Sequence, residues 1–204
     1  MGLEVFDKNK YKKEYLPQRL QSLEACVLAC YSILDRQVLN NKLNINLGSH
    51  VLNQPDISLF VNVAIDSGLL ANRALLNFMG IKLENHTIIN ADFALNIKSF
   101  DLLHVDLSSA TKVLEPDISH QQLKLFWVES LQTASKSIAH FTHGGATVNV
   151  ARLGYACFAT SMLVRKYFYD TLSLNQPESI IPEKLTPKNG IIWDAINDWE
   201  EQER

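Results

Sequence analysis

The sequence predicts an all-α fold: a helical bundle of four long helices, a long irregular crossover between the second and third, and a short helix at the C-terminus. Three observations predict it. Apolar residues recur at steps of three and four along four separate segments. Two of those segments are apolar on more than one side, which places them inside the molecule. Helix start and stop residues stand at the segment ends. The chain of 204 residues reads as a single helical domain, 1–204, with 174–188 as a surface linker and 189–204 as the terminal helix.

The first helix spans about Pro17 to Gln37. Leu20, Leu23, Val27, Cys30, Tyr31 and Leu34 share one face, and Pro17 suits a first turn because its missing N–H has no partner there. The Asn-rich stretch NNKLNINLGSHVLNQ breaks the helical period and reads as loop. The second helix starts around Asn53–Asp56 and stops at Gly80. Phe60, Val63, Ala64, Ala71, Ala74 and Phe78 form one side of it, and Ile65, Leu69 and Leu76 nearly the opposite side. That helix is expected to be wrapped by protein on most of its circumference.

From Ile81 to Ile118 no period holds, so short helical turns are expected, with one strand at LLHVDL. Ser119–Gln122, SHQQ, has the form of a capping box and opens the third helix. Its core stripe is Leu123, Trp127, Leu131, Ala134, Ile138 and Phe141, and Gly144 and Gly145 end it. The fourth helix runs from about Val148 to Leu172, apolar almost all round, with Gly154, Ala156, Ala159 and Ser161 small enough to admit a neighbour closely. The proline-containing stretch SLNQPESIIPEKLTPKNG runs over the surface, and the amphipathic IIWDAINDWEEQER packs back or meets a partner.

Composition narrows function. Hydrophobic residues make up 47% and charged residues 20% of the chain, the balance of a globular protein that buries a core. A net charge of −3 gives no general attraction for nucleic acid, and Lys8, Lys10, Lys12 and Lys13 read as a solvated helix face. Cys26, Cys30 and Cys157 are an odd number and read as small core residues. The first residues lack the apolar core of a signal peptide, which sets the expectation of a cytoplasmic protein. The longest apolar run, Leu153–Val164, is 12 residues, against about 20 for a membrane span. The serine-hydrolase, P-loop, Rossmann and zinc-ribbon motifs are all missing.

Two groups carry the candidate chemistry. On the second helix, Asn62, Asp66, Arg73 and Asn77 fall in one polar wedge. A buried arginine left without its partner costs about 3–5 kcal/mol, so Arg73 needs water or an acid such as Asp66, Asp92 or Glu129. On the third, His140 and His143 lie three residues apart in AHFTHGG, where imidazoles favour the negative end of a helix. The bland reading is a satisfied polar seam and a capped helix end. The sharper one is a ligand site of Arg73, Asp66, His140 and His143, with Arg73, Asp92 and His140 as catalytic candidates. Asp101/His104 and Asp117/His120 repeat a D-x-x-H spacing, but paired E-x-x-H motifs of di-metal bundles are missing, so no metal and no cofactor are expected.

The segments ANRALLNFMG, ADF at Ala91–Phe93 and SKSIAHFTHG resemble a pattern in bacterial all-helical proteins. The helical layout is similar to that of HEPN-like domains, nucleotide-binding bundles of which many are ribonucleases using an Arg-x4-6-His motif. This resemblance implies an RNA- or phosphate-processing enzyme. The chain departs from it, because none of Arg19, Arg36, Arg73, Arg152 or Arg165 is followed by a histidine at that spacing. The leading expectation is therefore a binding or self-association module, with a homo-oligomer or protein partner and no membrane. A phosphate-ligand enzyme using Arg73 and His140 is the alternative, and a metal-binding bundle the third reading.

Overall fold

The computed structural model describes residues 7–35, 43–54, 57–92, 96–114, 118–135, 148–185 and 190–202. Its helical part begins earlier than Pro17. Asp7 caps the first turn by accepting from the backbone N–H groups of Asn9 and Lys10 at 2.8 and 3.2 Å. An α turn, Lys8–Lys10, passes into a π-helical turn, Tyr11–Tyr15, and then into helix α1, Leu16–Leu34. Pro17 explains the wide turn. A proline inside a helix lacks the N–H and crowds the carbonyl four residues back, here that of Lys13. The π turn, with the Leu16 N–H donating to the Tyr11 carbonyl, relieves that crowding.

Of the Asn-rich stretch expected as loop, the described residues 43–54 form an antiparallel hairpin, β1 (Leu43–Leu47) and β2 (His50–Gln54). Gly48 supplies the positive φ of +62° that a tight two-residue turn needs. Helix α2, Ser58–Phe78, consequently starts after the expected Asn53–Asp56, because Asn53 and Gln54 are held in β2. Gly80, at φ +87°, ends it as expected.

The crossover departs most from expectation. It opens with a second hairpin, β3 (Ile81–Glu84) and β4 (Thr87–Asn90), in which Ile81 pairs with Asn90 and Glu84 with Thr87. Asn85 and His86 take φ values of 48° and 63°, the left-handed pair a type I′ turn requires. The short helical turns do follow: a 3-10 turn Ile97–Phe100, helix α3 (Leu107–Ala110) and a 3-10 turn Thr111–Leu114. LLHVDL forms no strand. The fold is thus predominantly helical with two small antiparallel hairpins among the described residues, not all-α.

Helix α4, His120–Thr133, starts at the predicted capping box, with Ser119 and Gln122 exchanging bonds of 2.9 and 3.2 Å. Leu123, Trp127, Leu131 and Ala134 are buried as the stripe requires; Ile138, Phe141, Gly144 and Gly145 lie outside the described residues. Helix α5, Val150–Val164, continued by a π turn Arg165–Asp170, lies at the centre, and almost every residue of it is buried. Helix α6, Ile191–Gln202, packs back on α5, burying Ile192 and Ile196 and setting Trp193 5.7 Å from the Tyr155 ring. Among the described residues, no helix is long and apolar enough to cross a membrane.

One expectation about α2 needs correcting. Its second half is the better enclosed, with Ala71, Leu75, Leu76 and Phe78 buried, but there Leu70 and Ala74 are exposed, and farther back Phe60 is 43% and Val63 60% exposed. Phe60 and Val63 belong to the first half, which rests on α1 along a single narrow line through Val61, Ala64 and Gly68. The helices are in close contact at Gly68, where an added Cβ would lie 2.2 Å from the Cβ of Cys26. All three cysteines are buried free thiols. The hydrogen bond with Cys26, and after it burial, hold the thiols of Cys30 and Cys157 well above the ordinary range.

Candidate functional site

Arg73 is half-buried on α2, and its helical position decides its neighbours. Residues 73 and 77 are one turn apart and face the same way, toward β3 and the end of α4. There Arg73 and Asn77 line a cavity of about 160 Å³ together with Lys82, Leu83, Leu131 and Ser135. Lys82 is anchored by Glu84, 3.1 Å away on the same strand. Among the described residues, Arg73 has no carboxylate within ion-pair distance and no hydrogen-bond partner. The cavity therefore carries an excess of positive charge over a small polar space.

Each acid named as a partner for Arg73 is placed elsewhere. Asp66 and Asn62 are exposed, so the polar wedge reaches solvent at its N-terminal end and is not an interior seam. Glu129 holds Arg152 of α5. Asp92, just after β4, is exposed and takes Lys98 at 2.8 Å and His104 at 3.1 Å. The His104 contact is an ion-pair distance without hydrogen-bond alignment. The Lys98 hydrogen bond holds the Asp92 carboxyl below its ordinary pKa. His140 and His143 lie outside the described residues. The described residues thus bring Arg73 and Asn77 together with Lys82 and Ser135, and bring Asp92 together with His104, in two separate places.

Of the D-x-x-H spacings, Asp117 lies outside the described residues. Asp101, at φ 64°, caps the Ile97–Phe100 turn and pairs with Lys8 at 3.4 Å, while His120 bonds the hydroxyl of Thr111. Among the described residues, no group of three or more His, Cys, Asp or Glu side chains could hold a metal ion.

Two polar clusters escaped sequence reasoning. The truly buried polar residue of α2 is Asn72, whose amide donates to Ser130 at 2.8 Å and accepts from Thr160 at 2.6 Å, with Trp127 Nε1 donating to Thr160 at 3.0 Å. The other is Glu24 on α1 with Arg165 beyond α5. The available signal was charge in the apolar run of the fourth helix: Arg152 and Arg165 bound it, and both are buried. Buried charges need paired partners, and these two have them.

A larger cleft of about 570 Å³ opens on the other side of Asn77, between the Tyr11–Tyr15 turn, α1 and α2. Comparison with protein-family models, with curated proteins and with solved structures returned no match.

Proposed function

We propose that this protein is a helical binding module whose Arg73–Lys82 cavity takes an anionic group, a carboxylate or phosphate, presented by its ligand. The observation that supports the reading is the guanidinium of Arg73 standing without a carboxylate partner among the described residues, beside Lys82, Asn77 and Ser135. A guanidinium offers five N–H donors in a fixed fork that matches either anion, and an amide and a hydroxyl beside it supply further polar contacts. The reading is one of binding because the described residues lining the cavity include no imidazole or carboxylate to serve as a general base near neutral pH.

Self-association through α6 draws less support from the geometry, since Ile192 and Ile196 of its apolar side are buried within the chain. The phosphate-processing alternative makes one further demand, that His140 reach the same cavity.

The test is a titration of the full chain with inorganic phosphate and with acetate, followed by NMR at the Arg73 side chain and the Asn77 amide. Saturable shifts at both groups, lost in Arg73→Gln, are the expected result. Shifts that are missing, or that persist unchanged in Arg73→Gln, would overturn it.

A further inference from the structure

The cleft beside the N-terminal π turn has the size, the aromatic lining and the charge of a small-molecule site. Its volume of about 570 Å³ lies within the roughly 300–1,000 Å³ of small-ligand pockets. Phe78, only 2% exposed, forms its floor. The Tyr11 ring lies 5.4 Å from the Phe78 ring and 6.3 Å from that of Tyr15, edge-on to the latter. Tyr15 itself is 41% exposed, so one of its sides remains available to a flat guest.

Pro17 puts these rings there, because the wide turn it imposes is the segment that carries both tyrosines. Rare π turns recur at functional sites. Arg19, one helical turn beyond Tyr15, stands exposed on the wall with Gln18. Among the described residues, Arg19 has no ion-pair or hydrogen-bond partner, and no carboxylate lines the cleft. Lys10, 5.3 Å above the Tyr15 ring, adds positive charge nearby.

We propose that this cleft binds a small organic anion carrying one flat aromatic ring: the ring lies among Tyr11, Tyr15 and Phe78, Arg19 pairs with the acid group, and the amides of Gln18 and Asn77 supply hydrogen bonds. Offset and edge-on ring contacts favour an aromatic over an aliphatic body of equal size. The guanidinium fork takes a carboxylate or a phosphate alike. Burial pushes the Tyr11 pKa up to about 12, so its ring brings no negative charge to the cleft. The site is independent of the Arg73 cavity although Asn77 borders both.

Isothermal titration of the full chain with phenylacetate, phenyl phosphate and the neutral phenylacetamide tests it. One or both acids should bind with a Kd of about 1 mM or tighter, and whichever binds identifies the acid group. The amide should bind about tenfold more weakly or worse. Arg19→Gln should weaken the acid about tenfold while leaving the amide unchanged, a difference that a merely structural role would not produce. Tyr15→Ala should weaken acid and amide alike, and Arg73→Gln should leave both as they were. Saturation by neither acid, equal binding of the amide, or an Arg19→Gln protein with full affinity for the acid would overturn the proposal.

Discussion

Arg165 Nη2 stands 2.6 Å from Glu24 Oε1, joining the π turn beyond α5 to the middle of α1 where both side chains are buried. The pair is fully engaged. Ser161 donates to the same carboxylate oxygen at 3.0 Å, the Ile180 N–H donates to the other at 2.9 Å, and Arg165 also donates to the Pro177 carbonyl at 2.6 Å. One ion pair thus fastens two helices and ties down the proline-containing surface stretch.

Glu24→Gln should destabilise the protein by about 3–5 kcal/mol, because it leaves the Arg165 guanidinium buried without its countercharge. The double variant Glu24→Leu/Arg165→Met should lose less than that single change, since no charge is stranded. Urea unfolding midpoints measure both. Proteolysis between residues 174 and 185 should accelerate most in the double variant, because Leu at position 24 leaves no side-chain oxygen to accept from the Ile180 N–H.

Gly68→Ala should cost about 1–3 kcal/mol or more, the penalty of overpacking a closed interface, since its new Cβ would meet the Cβ of Cys26 at 2.2 Å. Cys26→Ala should rescue little of it, because it removes the contact at 2.7 Å from the sulfur but keeps the closer one at 2.2 Å from the β-carbon. Cys26→Gly should rescue part of the loss. Thermal melts of the three proteins distinguish sulfur crowding from backbone proximity.

Alkali should unfold the protein through two tyrosines. Burial raises Tyr11 and Tyr169 to about 12 in the folded chain, above their ordinary 10. Between those values the unfolded chain loses protons that the folded chain keeps, so the stability they contribute is complete below pH about 10 and falls as pH rises toward about 12. Tyrosinate absorbance should show Tyr11 and Tyr169 titrating late, together with loss of helix. Six tyrosines titrating together near 10 in a folded chain would contradict this.

Helix positions were legible because helix formation is a local matter. The stripe Leu20–Leu23–Val27–Cys30, the capping box at Ser119 and the small-residue face of α5 all follow from spacing along one segment. The hairpins were not, because Asn dominates the composition of the first, and the second lay in a run with no helical period. Their short alternations, Leu43–Ile45–Leu47 and Ile81–Leu83, need a partner strand before they mean anything.

The candidate site divides along the same line. Arg73 and Asn77 share a face of one helix, which the sequence by itself determined. Lys82 and Ser135 reach them from other elements, and only the tertiary structure decided that, as it decided that Glu129 answers Arg152 and Asp92 answers Lys98. Glu24 and Arg165 are 141 residues apart. Which acid meets which arginine is a property of helix packing angles and registers, and periodicity in one segment carries no information about its neighbour.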